Sequence, residues 1–250
     1  MQNKELCSFL KGLVESEDYT GLDIALNTPN YMVCFSVLEY IVDFGSGDMI
    51  RYISGKKYEW KFEGMQFEIP YNFFSWNTIF SLDALFLIRS CELFSGVNRR
   101  VELSKLIYNL IDIDNDEREL VMNRVLLTAS KFSRLDYIQW AIEMGADVDY
   151  TNPLGESPLI FASVSDNVDA GAEIQYLIDN GANVNLQTVG GFTAITNAIF
   201  SDNVKNAEIL LLNGADPRVS AKNKQSALSL SKKKKMLGFI TMCRDYGFVL

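Results

Sequence analysis

The sequence predicts a mainly α fold: a helical N-terminal region containing one β-hairpin, followed by a stack of short helical repeats. Three observations carry that expectation. The phrase "GESPLIFASVSDNV" opens at Gly155 and "GFTAITNAIFSDNV" opens at Gly191, sharing glycine, hydroxyl, apolar and alanine positions and an identical SDNV ending. Glycine-ended phrases recur at Gly145, Gly181, Gly214 and Gly247, at intervals of 36, 33 and 33 residues. Before residue 116 that register is not detectable, and near 57–70 the helical period gives way to alternation.

Residues 1–115 form the first region. "LCSFLKGLV" and "YMVCFSVLEYIVDF" have helical periodicity, and Gly45, Ser46, Gly47 and Asp48 break the second. "KYEWKFEGMQFEIP" alternates aromatic or apolar with charged residues on both sides of Glu63 and Gly64, which predicts a β-hairpin near 57–70 ended by Pro70. "SWNTIFSLDALFLIRSCELF" and "RRVELSKLIYNLI" return to helix.

From residue 116 the chain divides into units of about 116–149, 150–185, 186–219 and 220–250. Each carries a small apolar segment, "RVLLTA", "SPLIFA", "TAITNA" or "SALSLS", counted from Arg124, Ser157, Thr193 and Ser226. A bulkier segment such as "IQYLI" or "ILLL" then runs to the glycine. Such a unit cannot bury its own apolar face and must stack on copies of itself. Ser157 or Thr193 can cap the free N–H groups of a first helix, and Pro158 in its first turn gives up no hydrogen bond. Ala129, Ala162 and Ala198 let neighbouring units approach closely, and Gly145, Gly181 and Gly214 end the second helix where positive φ is needed.

The end units depart from this pattern. Arg124 replaces the hydroxyl in the first, and the last has "SLSKKKKML" where alanines and a turn glycine are usual. Lys232–Lys235 are expected first as a solubilising cap, with a nucleic-acid or phosphoinositide patch as the other use. An insertion around Asp169, Ala170 and Gly171 lengthens the turn of the second unit.

The start at Ser157, Pro158 and Leu159, the inward alanines and the Gly-Ala-Asp/Asn turns resemble the ankyrin repeat, over roughly Asp116 to Leu250. The resemblance implies recognition of other proteins through hairpin tips and the concave face of the first helices, with no cofactor.

Composition narrows the chemistry. The chain has no histidine, which removes the commonest general base, the commonest zinc ligand and every Ser-His or Cys-His dyad. Cys7, Cys34, Cys91 and Cys243 lack metal or disulfide-framework spacing, and reduced thiols are expected. "DIDNDERE" from Asp112 lacks the glycine and distant glutamate of a calcium loop, and the carboxylates Glu59, Glu63 and Glu68 belong to the wet face of the expected hairpin. No catalytic constellation and no metal set follow, so the protein is expected not to be an enzyme.

No apolar stretch has the length of a membrane span, and "MQNKELCSFLKGLVESED" turns acidic after a short amphipathic run, so a cytoplasmic protein without membrane contact is expected. The net charge of −9 is uneven: residues 1–115 hold ten basic and sixteen acidic side chains, 116–219 six and fifteen, and 220–250 seven and one. Such a field repels nucleic acid and attracts basic proteins.

The partner is therefore expected to be a protein, basic in the favoured case, bound by a chain that is monomeric when free. Two uses fit: a dedicated inhibitor, such as a bacterial immunity protein or antitoxin covering a basic toxin, and a secreted effector docking onto a host or target protein. An enzyme in the N-terminal half with the repeats as targeting arm is a third class. In the ankyrin register the fifth and eighth positions of the first helix face the concave side: Thr128 and Lys131, Phe161 and Val164, Asn197 and Phe200. Rigid aromatics are frequent interface anchors, so Phe161 and Phe200 are expected at the apolar centre. Asp147, Asp149, Tyr150, Asn152 and Asn185 are the expected polar rim. Alternatively, one phenylalanine packs beneath the N-terminal region or against the long turn at Asp169.

Overall fold

The computed structural model describes residues 9, 11–27, 47–54, 101, 104–105, 108–109 and 115–248. It divides into two compact units, Met1–Arg118 and Glu119–Leu250. The β-hairpin expected near 57–70 lies outside the described residues.

In the first unit, α1 (Tyr19–Leu26) starts at Asp18, whose side chain accepts the N–H of Gly21 at 2.9 Å. The cap offsets the poor helix formers Thr20 and Gly21 in the first turn. Leu22, Ala25 and Leu26 are its buried stripe. Helix α2 (Gly47–Ser54) buries Met49 and Ile53 and is tied to α1 by two aromatic contacts. The Tyr52 hydroxyl donates to Asp23 at 2.9 Å, and the Tyr19 and Tyr52 rings meet edge-on at 4.6 Å.

The second unit is a series of helix pairs. The first helices are α3 (Asn115–Lys131), α5 (Pro158–Ser163), α7 (Ala194–Phe200) and α9 (Ala227–Lys233). Their partners are α4 (Leu135–Glu143), α6 (Ala170–Asp179), α8 (Val204–Leu212) and α10 (Leu237–Asp245). First helices pack side by side, α5 on α7 and α7 on α9, while α4, α6, α8 and α10 form the adjoining row. The two rows meet over Ile174, Leu177, Ile195, Ile199, Leu210 and Phe239, which are fully or almost fully buried.

The caps are those the residue types require. Ser157 and Thr193 accept the N–H of Ile160 and Thr196, each at 3.4 Å, and Pro158 occupies the first turn of α5. Ser226 and Ser229 form a reciprocal capping box at the start of α9. Helix α3 differs, because it runs unbroken through Arg124 and has no start there to cap. Ala129, Ala162 and Ala198 are 2%, 0% and 0% exposed, and the matching position of the last pair holds Ser231, whose hydroxyl donates to the Leu228 carbonyl. The closing glycines, Gly145, Gly181, Gly214 and Gly247, have φ between +80° and +94°.

The turn from α5 to α6 runs from Val164 to Asp169, six residues where the equivalent turns have three. Ser133, Asp202 and Lys235 take positive φ in the three short turns, a conformation the long turn does without.

Candidate binding surface

Phe200 ends α7 with 62% of its surface in solvent. It is nonetheless held: the Lys234 ammonium of the next pair donates to the Phe200 carbonyl at 2.7 Å and to Asp202 Oδ1 at 2.8 Å, and lies 5.8 Å from the ring centre. One lysine of the basic run is thus a clamp, while Lys232, Lys233 and Lys235 are exposed. Val164 is 37% exposed, Phe161 and Asn197 are half-buried, and Lys131 is exposed with its ammonium 5.7 Å from the Phe132 ring. Thr128, by contrast, is buried at 5% exposure and offers no surface.

The hairpins joining one pair to the next are built from short polar side chains. Asp147, Asn183 and Asp216 each use Oδ1 to accept the N–H two residues on, from Asp149, Asn185 and Arg218. A second device links the hairpins. Asp149 accepts the N–H of Asn183 at 2.9 Å, and Asn185 accepts that of Asp216 at 2.8 Å. Asn152 accepts the N–H groups of Leu154 and Glu156 and donates to the Glu156 carboxylate. Asp149, Asn152 and Asn185 therefore hold the scaffold, whatever else they touch. Tyr150 is half-buried; burial raises its hydroxyl pKa and the Arg124 charge opposes the rise.

At the tips the chain backbones meet. Val189 N donates to the Leu154 carbonyl at 2.8 Å and Lys222 N to the Gly190 carbonyl at 3.0 Å. Leu154 and Val189, 62% and 58% exposed, stand side by side on this ladder and are the surface residues that pattern reasoning missed. A single apolar residue inside a polar turn has no period to reveal it.

Arg218 holds the Asp216 carboxyl below its ordinary range through a 2.9 Å ion pair, and burial pushes the Cys243 thiol up to about 11. Among the described residues no cluster of three histidine, cysteine or carboxylate side chains could hold a metal ion, and no helix is long and apolar enough to cross a membrane.

Comparison with known proteins gives the same periodicity a name. A family model described as ankyrin repeats, three copies, matches residues 126–221. These residues are ankyrin repeats. A fowlpox virus (strain NVSL) protein named as the ankyrin repeat protein FPV031 is 28% identical over 101 residues, 39% of this chain and 29% of its own. BCL-6 corepressor-like protein 1 of Homo sapiens is 25% identical over 135 residues, 52% of this chain and 7% of its own. The chain thus spans less than a third of either relative. Ankyrin repeats indicate a protein–protein interaction module. Helices α9 and α10 fall beyond the matched residues and continue the two rows.

Proposed function

We propose that the chain is a non-catalytic binder that captures a protein partner across the exposed ends of its first helices and its hairpin tips. The observation that carries this is Phe200: a large aromatic left in solvent, its carbonyl bonded to the Lys234 ammonium and its ring beside that same ammonium, a rigid side chain of the kind that loses little freedom when buried against a partner. Val164 and Phe161 extend the apolar area, Asn197 and Lys131 lie on the same helices, and Leu154 and Val189 add a second apolar point at the tips. The rim is acidic at Asp147 and Asp149.

Within that function we favour a dedicated inhibitor, monomeric and cytoplasmic, such as an immunity protein or antitoxin that covers a basic toxin. What supports it is the net charge of −9, fifteen acidic against six basic side chains over residues 116–219. Affinity capture from native lysate on immobilised wild-type chain and, in parallel, on Phe200→Ser tests the proposal. The expected result is a basic protein retained by the wild type and lost by the variant. A captured protein of acidic character rules out the toxin-inhibitor role, and equal retention by both chains rules out the Phe200 surface.

A further inference from the structure

Eight residues before the closing glycines Gly145, Gly181 and Gly214 stand Tyr137, Glu173 and Asn206, exposed by 0%, 0% and 4%. What the position faces is clear at Asn206. Its side-chain amide donates to the carbonyls of Ala162, Ser163 and Ser165 at 3.4, 3.2 and 3.1 Å, at the C-terminal end of α5 in the preceding repeat. A helix end of this kind offers acceptors only and carries the negative end of the dipole. Glu173 holds the same position one repeat earlier, beside Ser133 in the turn that follows α3. Neither carboxyl oxygen meets a partner at full hydrogen-bond geometry, and the Ser133 hydroxyl, which acts on the carboxyl, is itself bonded to that of Ser165.

An ionised carboxylate can only accept, whereas the neutral acid has a proton to give. We propose that Glu173 is a neutral carboxylic acid that donates to the C-terminal carbonyls of α3, as Asn206 donates to those of α5, and that its ionisation loosens the junction between the first and second repeats.

The surroundings favour the neutral form. Burial raises the acid's pKa, the Ser133 hydroxyl opposes the rise, and two further carboxylates add to it: Asp169, at the N-cap of its own helix, and Asp136, in the first turn of α4. The net result is about 7, against an ordinary 4.5. Arg134, the cation of the same turn, is bonded to Asp136 at 3.1 Å. Helix α5 has no ionisable side chain, Lys131 at the end of α3 is exposed, and Lys205 and Glu208 of α8 are not among the groups acting on Glu173. Because the folded value is the higher one, the acid's stabilisation is complete below about pH 4.5 and is lost as pH rises through about 7.

Thermal unfolding of the full chain between about pH 5 and pH 8 reads this out. The wild-type Tm falls across the interval. Glu173→Gln keeps a donor and removes the charge, so its Tm falls less and at pH 8 exceeds that of the wild type by on the order of 5 °C. Asp166→Asn, an exposed acid of the same repeat, leaves the wild-type slope in place. A Glu173→Gln chain with the wild-type slope overturns the proposal. If that variant does not fold, an NMR titration of the wild-type glutamate carboxyls decides. One glutamate with a midpoint near 7 supports the proposal, and every glutamate titrating in the ordinary range overturns it.

Discussion

Gly191 and Gly214 share a backbone conformation, φ +85° and +90°, and differ in what surrounds them. A Cβ on Gly214 would meet nothing within 4 Å, whereas one on Gly191 would lie 3.0 Å from Ala221 Cα and Lys222 N, the backbone of the next hairpin. Gly155 makes the same approach to Val189 N, at 2.8 Å. That is why both long phrases open with glycine. The matching residue in the last repeat is Lys224, which bears φ 63° there. Gly214→Ala is expected to cost roughly 1–2 kcal/mol of backbone strain, and Gly191→Ala clearly more because two hairpins must also part. Lys224→Gly relieves the same strain and stabilises by about 1 kcal/mol. Urea unfolding midpoints of the three variants rank them; equal losses at Gly191 and Gly214 would show that the close approach carries no energy.

Identical segments end the two phrases and do different work in the two turns. Asn203 caps α8 through the N–H of Asn206 at 3.3 Å and reaches across to the Ser165 carbonyl at 2.6 Å, so Val204 enters the helix. The Asn167 side chain, in the six-residue turn, accepts the nearby N–H of Asp169 and makes no bond to another repeat, and Val168 is left 96% exposed. Asn203→Ala therefore loses a cap and an inter-repeat bond, about 1–2 kcal/mol, while Asn167→Ala stays within about 0.5 kcal/mol of wild type. Thermal unfolding of the pair distinguishes them. The helix starts, the inward alanines and the closing glycines were legible because each is a local requirement of the backbone. The staples from Asp149 to Asn183 and from Asn185 to Asp216 were not, since the groups they join lie 34 and 31 residues apart. Thr128 was placed at the surface by register alone, yet it is buried. Helix α1 was missed because Thr20 and Gly21 mask its period, and the cap at Asp18 is its one local signal.

At the scale of the stack, each repeat is stable through its neighbours. Ala207, Leu210 and Leu211 of α8 are buried at 0%, 0% and 3% exposure, with α10 packed against that helix and α9 against α7. Deleting everything after Pro217 removes both covering helices, and the expected product is insoluble or loses its cooperative thermal transition. A soluble truncated chain with an unchanged transition would show that α9 and α10 are not part of the stack. For the basic partner proposed above, the acidic charge would act at the same scale by steering it inward from beyond contact distance, so its association rate should fall with added salt more steeply than its dissociation rate rises.

The central claim is that an exposed aromatic surface binds a protein. Titration of the captured partner against wild type and the Phe161→Ser, Phe200→Ser double variant, with Tm measured on the same samples, tests it most directly. Binding weaker by roughly 2 kcal/mol or more, about 30-fold, at a Tm within a few degrees of wild type is the predicted result. Unchanged affinity in a folded double variant, or unfolding of that variant, contradicts it, because the rings would then belong to no interface or to the core.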